Sequence, residues 1–238
     1  MALVANLPDR VEYPLKLAVR PSAPKPGQEL QLAFTVFDPK TERHVTDFQE
    51  MHEKLYHLFI VSQDLQYFRH DHPDLGADGT FHFNTVLPKP SMYRILSDFY
   101  PTGGTPQLIV KTLMLPGAAL TRSTKLQPDL VAKDAENLKV SLTMEPTQPI
   151  AGMKTMLFFQ VEPADGVELY LGSWSHMLAA SDDLIDMIHD HPFIAEGGPQ
   201  MQFNIIFPRA RTYRVWVQFQ RKGVVNTARF DIPVSELK

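Results

Sequence analysis

Apolar residues in this chain come in short runs and not at helical spacing. Residues 30–36 (Leu-Gln-Leu-Ala-Phe-Thr-Val) and 213–219 (Tyr-Arg-Val-Trp-Val-Gln-Phe) alternate between apolar or bulky and polar or small positions. Successive strand side chains point to opposite faces, so this period of two predicts half-buried β-strands. Similar runs bounded by turn residues fall at 15–19, 29–37, 57–61, 80–85, 91–98 and 107–115, then at 139–143, 155–161, 167–171, 177–180, 200–207, 212–219 and 227–232. About seven short strands per half, punctuated by turns, predict an all-β protein built as β-sandwiches of immunoglobulin-like or cupredoxin-like kind. The 20 prolines suit turns and sheet edges better than helix interiors.

The pattern occurs twice. His176, His189 and His191 follow His57, His70 and His72 by a constant 119 residues (176 − 57 = 189 − 70 = 191 − 72), and Asp183-Leu184 follows Asp64-Leu65 by the same offset. Further on, Phe203-Asn204, Pro208, Tyr213-Arg214 and Phe219 follow Phe83-Asn84, Pro88, Tyr93-Arg94 and Phe99 by 120, which places one inserted residue in the intervening loop. Units of about 100 residues exceed solenoid periods, so they are duplicated domains. The expected organisation is an N-terminal extension over 1–11, a first sandwich over 12–116, a linker over 117–137 and a second sandwich over 138–238. The linker is polar and patternless, with a short helical turn expected near 129–137.

Composition narrows the function classes. A net charge of −4 leaves no basic footprint for nucleic acid. No stretch has the roughly twenty apolar residues of a transmembrane helix. The chain has no cysteine, which excludes disulfides, thiolate zinc sites, cysteine nucleophiles and cysteine-ligated blue copper. The start, Met1-Ala2-Leu3-Val4-Ala5-Asn6-Leu7-Pro8, has no charged n-region or long apolar core, so no signal peptide is visible.

Six of the nine histidines lie in the two repeated triads. Residues 57–62 read as a strand, 63–65 as a turn and 66–72 as the returning strand. Residues facing each other across an antiparallel hairpin have numbers with a constant sum. A sum of 127 or 129 sets His57 opposite His70 or His72, and the three imidazoles converge. A sum of 128 sets His57 opposite Asp71 and separates them. The same parity governs His176, His189 and His191. Converging imidazoles suit Cu(II) or Zn(II). The alternative is structural, with imidazoles bonding backbone carbonyls and Pro73 or Pro192 closing the strand.

His52 and Glu53 offer additional ligands to the first triad, where the second half has Leu171-Gly172 and, as thioether donors, Met177 and Met187. Asp71 and Asp190 alternate away from their flanking histidines and read as turn or surface carboxylates. Asp98 reads as a strand-end residue, Tyr93 and Tyr213 as corner tyrosines, and His44 and His82 as surface or strand residues. Gly103-Gly104-Thr105-Pro106 is a loop with no helix behind it to cradle phosphate. Ser173 and Ser175 lack the glycine-flanked elbow of an esterase.

Residues 54–65 (Lys-Leu-Tyr-His-Leu-Phe-Ile-Val-Ser-Gln-Asp-Leu), with His70-Asp71-His72-Pro73, Asp98-Phe99 and Gly103-Gly104-Thr105-Pro106-Gln107, resemble a family of bacterial exported β-sandwich proteins. These are similar to YtkA-like domains and, distantly, to periplasmic copper-resistance sandwiches. His176-Met177, His189-Asp190-His191-Pro192 and Trp216-Val217-Gln218-Phe219-Gln220-Arg221 resemble the C-terminal half of the same family, and the likeness spans most of 12–235. It implies a periplasmic or extracellular location, with any leader already removed, and the handling of copper or another metal. The expectation is a non-catalytic metal-binding protein, copper before zinc, that buffers, delivers or senses metal and has room for an envelope protein partner. The alternatives are a metal-free interaction module with structural histidines, and a copper oxidoreductase, which needs an open coordination position beside a substrate cleft.

Overall fold

The computed structural model describes residues 3–4, 11–117, 125–194 and 198–237. The chain forms two compact units, Asn6–Ser123 and Thr124–Lys238, the second taking in Met1–Ala5 as well. Among the described residues there are strands and no helices.

β1 (Leu3–Val4) belongs to the second unit. The first sandwich comprises β2 (Leu15–Arg20), β3 (Glu29–Val36), β4 (Tyr56–Ser62), β5 (Phe68–Asp71), β6 (Asp74–Leu75), β7 (Thr80–Val86), β8 (Ser91–Phe99) and β9 (Gln107–Leu115). One sheet runs β2-β3-β7-β6 and the other β5-β4-β8-β9, the two-sheet arrangement of an immunoglobulin-like domain. The alternation read from sequence decides what faces inward. Leu30, Leu32, Phe34 and Val36 of β3 pack against Tyr56, Leu58 and Ile60 of β4, with Phe81, Tyr93 and Phe99 closing the core. Each such side chain contributes about 1.5–3 kcal/mol on burial.

The second sandwich repeats this with β10 (Lys133–Asp134), β11 (Lys139–Glu145), β12 (Lys154–Glu162), β13 (Val167–Glu168), β14 (His176–Ser181), β15 (Met187–Asp190), β16 (Gln200–Ile206), β17 (Thr212–Arg221) and β18 (Val224–Pro233). Its sheets are β10-β11-β12-β16 and β1-β15-β14-β17, with β13 and β18 both on β17. Phe159, Phe203, Phe219 and Phe230 fill its core. Corner tyrosines serve both sandwiches: the Tyr93 hydroxyl donates to the Lys89 carbonyl at 2.9 Å, and that of Tyr213, beside the Arg209 backbone, donates to the Asp186 carboxylate at 2.7 Å.

The segment expected as linker differs from its sequence reading. Residues 118–124 lie outside the described residues. Beyond them, Asp129 exchanges backbone hydrogen bonds with Asp231, and Lys133–Asp134 pairs with β11. The helical turn expected near 129–137 is therefore extended β structure attached to the second sandwich. Lys133 does bond Asp129 four residues earlier, a spacing typical of helices. Cross-strand backbone bonds, together with Asn137 donating to Asn226 at 2.7 Å, satisfy the segment better than one isolated helical turn would. The 1–11 extension contributes an edge strand, Leu3 pairing with His189 and Val4 with Ile188. The loop holding the inserted residue includes 195–197, which lie outside the described residues.

Candidate metal centre

One turn fixes each triad. In the first hairpin the Asp64 carboxylate accepts the Ser62 hydroxyl at 2.6 Å and the Gln66 amide at 3.1 Å. Leu65 takes φ 59°, and the Ser62 amide donates to the Tyr67 carbonyl at 3.1 Å. Closing 62 on 67 sets the register sum at 129, seen in Leu58↔Asp71 and Phe59↔His70. Continued by one residue, it sets His57 opposite His72. The second hairpin repeats each element: Asp183 accepts from Ser181 and Ile185, Leu184 takes φ 56°, and Leu178 pairs with His189. His176 thus falls opposite His191.

The side chains converge. In the first domain, His57 Nδ1 lies 3.2 Å from His72 Nε2 and 3.4 Å from His70 Nε2. In the second, His176 Nδ1 lies 2.9 Å from His191 Nε2, and His176, His189 and His191 each offer a nitrogen within 4.8 Å of the others. Ring arrangements match: the His57–His72 planes meet at 82° and those of His176–His191 at 79°. Two nitrogens each about 2.0–2.1 Å from one ion, at 90–120° to each other, stand about 2.9–3.6 Å apart. The His57–His72, His57–His70 and His176–His191 spacings fall in that interval.

A backbone carbonyl fixes the central ring of each triad. His57 Nε2 donates to Met51 O at 2.9 Å, and His176 Nε2 to Tyr170 O at 2.8 Å. A carbonyl only accepts, so Nε2 carries the proton and the neutral ring turns the Nδ1 lone pair toward the other histidines. The carbonyls come from matching two-residue turns. His52 and Glu53 sit at φ 50° and 62° between Met51 and Lys54, and Leu171 and Gly172 at φ 51° and 68° between Tyr170 and Ser173. Positive φ at both central positions is the type I′ hairpin turn. In both domains the turn supplies a carbonyl to the site, and Glu53 at its tip is exposed.

His57, His176 and His189 are buried, while His70, His72 and His191 are half-buried. The His70 ring stacks on Phe59 at 4.2 Å. Asp71 faces away from the histidines and pairs with Arg69 at 2.8 Å, in keeping with its sequence reading. Asp190 departs from that reading. It is buried, and burial pushes its carboxyl up to about 6 against the opposing hydrogen bond from the His191 amide. Met177 lies in the core, and Met187 is also buried. The Ser175 hydroxyl donates to the Gln218 carbonyl, His44 meets the edge of the Phe37 ring, and His82 is exposed on β7.

Sequence reasoning missed two residues beside the triads. Asp98 pairs across the strands with His57, and Gln218 with His176. They correspond at the 120 offset of the second echo, which was a visible signal. The Met51 and Tyr170 carbonyls had no signal, because a backbone acceptor leaves no trace in residue identity.

The fold and these sites define a tandem β-sandwich with one histidine triad in each repeat. The chain belongs to the family described as Domain of unknown function (DUF8832), which it matches twice, over residues 10–112 and 133–236. No curated protein matches it. Among 72 matching chains of known structure is a putative membrane anchored protein from Corynebacterium diphtheriae, at 10% identity and TM-score 0.29, aligned over 97% of this chain and 60% of that one. Red sea bream transglutaminase aligns at 11% identity and TM-score 0.28, over 94% of this chain and 31% of that one. Fibronectin(III)-like modules of Clostridium thermocellum CbhA align at 9% identity and TM-score 0.25, over 93% and 95%. This chain thus spans less than two thirds of the first two, and likenesses this loose carry no argument about the site.

Proposed function

We propose that this chain is a non-catalytic transition-metal binding protein of the bacterial envelope, copper before zinc, with one three-histidine site in each sandwich. Metal buffering, delivery or sensing follows from that role. The observation that carries the reading is the convergence of three imidazole nitrogens at ion-sharing distance, with the central ring held in its ligating tautomer by a backbone carbonyl. The resemblance to YtkA-like and copper-resistance sandwiches supports copper and an envelope location. His52 and Glu53 form the turn that presents the Met51 carbonyl, and the turn serves the first site through that carbonyl.

The second reading, a metal-free interaction module, has one observation in its favour. The 2.9 Å contact between His191 Nε2 and His176 Nδ1 is an ordinary hydrogen-bond length and holds those rings without an ion. Elemental analysis separates the two readings. After equilibration with Cu(II), Cu(I) or Zn(II) and removal of any histidine tag, the protein should carry two ions, and the His70→Ala/His72→Ala variant one. Wild-type protein that emerges metal-free from all three hands the case to the interaction module.

A further inference from the structure

The register lines up one row of side chains across each histidine-bearing sheet. In the first domain it runs His72, His57, Asp98, Leu108; in the second, His191, His176, Gln218, Thr227. Directly opposed residues share a face with Cβ atoms about 4.5–5.5 Å apart. Tyr93, Ile95 and Phe99 of β8 point into the first core, so Asp98, of opposite parity, lies on the face of His57. Asp98 and His57 are each 2% exposed, and Gln218 is 8% exposed. The rows differ in charge at their third position. Gln218 Nε2 donates to Thr227 Oγ1 at 3.1 Å, which anchors a neutral amide beside the second triad. Leu108 stands in the place of Thr227 and offers no donor to the Asp98 carboxylate.

We propose that Asp98 makes the first site anionic and selective for a divalent ion, Zn(II) or Cu(II), whereas Gln218 leaves the second site neutral and suited to Cu(I). The proposal rests on reading the triads as metal sites. Three neutral imidazoles leave a bound divalent ion with its full 2+ charge in a buried setting, where unbalanced charge is costly. A neighbouring carboxylate cancels half of it. Coulomb energy scales with the charge on the ion, so one carboxylate stabilises a divalent ion by twice the free energy it gives a monovalent one. On a logarithmic scale of affinity, Zn(II) should therefore respond twice as strongly as Cu(I) to the gain or loss of that carboxylate.

Full-length single-site proteins provide the test. His176→Ala/His189→Ala leaves the first site and His57→Ala/His70→Ala the second. Each is titrated anaerobically with Cu(I) against bicinchoninate and with Zn(II) against a chromophoric chelator. In the first-site protein, Asp98→Asn should weaken Zn(II) about a hundredfold and Cu(I) about tenfold. In the second-site protein, Gln218→Glu should strengthen Zn(II) by a larger factor than Cu(I). The second substitution is a gain of function in the other domain, so it holds even where Asp98→Asn disturbs folding. Equal responses of the two ions, or no change in their ratio with Gln218→Glu, overturn the charge assignment while leaving both triads as metal sites. Wild-type protein that binds neither ion overturns the metal reading and this inference with it.

Discussion

Beside His57 stand Phe59 and Asp98, with Arg69 on the other face of the hairpin; at the corresponding places by His176 stand Leu178 and Gln218, with Ile188 on the other face. The scaffold beneath is the same in both domains: a type I′ turn presenting one carbonyl, a hairpin turn held by an aspartate, and a register that sets the central histidine opposite its partner. The environment has changed while the frame has not. On the face away from the histidines Arg69 pairs with a half-buried Asp71, whereas with Ile188 in its place Asp190 is buried and its carboxyl raised. The turn aspartates differ too, since Lys89 grips Asp64 at one oxygen and Arg209 grips Asp183 with two parallel bonds at 2.9 Å. The positions that build the frame are retained, and those that set its charge and packing have diverged.

Breaking one domain at a time tests that comparison. The largest effect is expected from His57→Ala, which removes the central imidazole of the first triad; if the proposed metal sites exist, elemental analysis should then find one ion where wild type has two. Loss of both ions would mean that the sites are not independent. Next comes Phe34→Ala in the first core, expected to cost that domain about 3–5 kcal/mol. Calorimetry should then show an early transition separated from that of the second domain, and a single shifted transition would mean that the two unfold together.

Asp183→Asn should cost about 1.5–3 kcal/mol by removing hydrogen bonds to a charged group. Burial alone would raise the Asp183 carboxyl, but bonds from Arg209, Ser181 and the Ile185 amide outweigh it and hold it well below the usual carboxylate range. A depressed carboxylate stabilises the fold above its unfolded pKa of about 3.9, and that stability is lost as pH falls toward the folded value. Wild-type stability should therefore decline below about pH 4, and Asp183→Asn should flatten the decline more than Asp64→Asn does. Equal slopes in urea melts of both variants would erase the distinction between the Arg209 and Lys89 grips.

The smallest effects concern the carbonyl-presenting turns. His52→Gly and Leu171→Gly each relieve a side chain held at positive φ, worth about 1 kcal/mol, and both leave the carbonyl of the preceding residue in place. Metal affinity should stay within about threefold of wild type in both, since the turn acts through its backbone. A large drop with His52→Gly alone would make His52 a ligand and the first turn different in kind from the second.

Much of this was legible in the sequence. Alternation located the strands, and the constant offset declared the duplication. The register was open between odd and even sums until the Ser62–Tyr67 closure settled it, although Asp64-Leu65 and Asp183-Leu184 had already marked identical turns. Three things were hidden, each for a physical reason. Asp98 looked like a strand end because its importance lies in a partner 41 residues away, a separation that only sheet pairing bridges. Asp190 read as a turn or surface carboxylate because it alternates away from its flanking histidines, and the face it turns to is buried in the second sandwich. The stretch at 129–137 gave no strand pattern because its pairing is short and its partners, Asp231 and the start of β11, are not marked by alternation within the segment itself.

The pairing of Leu3 with His189 has a practical consequence for anyone preparing this protein. Leu3 lies across from the strand that carries His189 of the second triad. An amino-terminal polyhistidine tag would place a competing chelator there, so affinity handles belong at the carboxyl terminus, and metal contents from the two tagging schemes should be compared before either is believed.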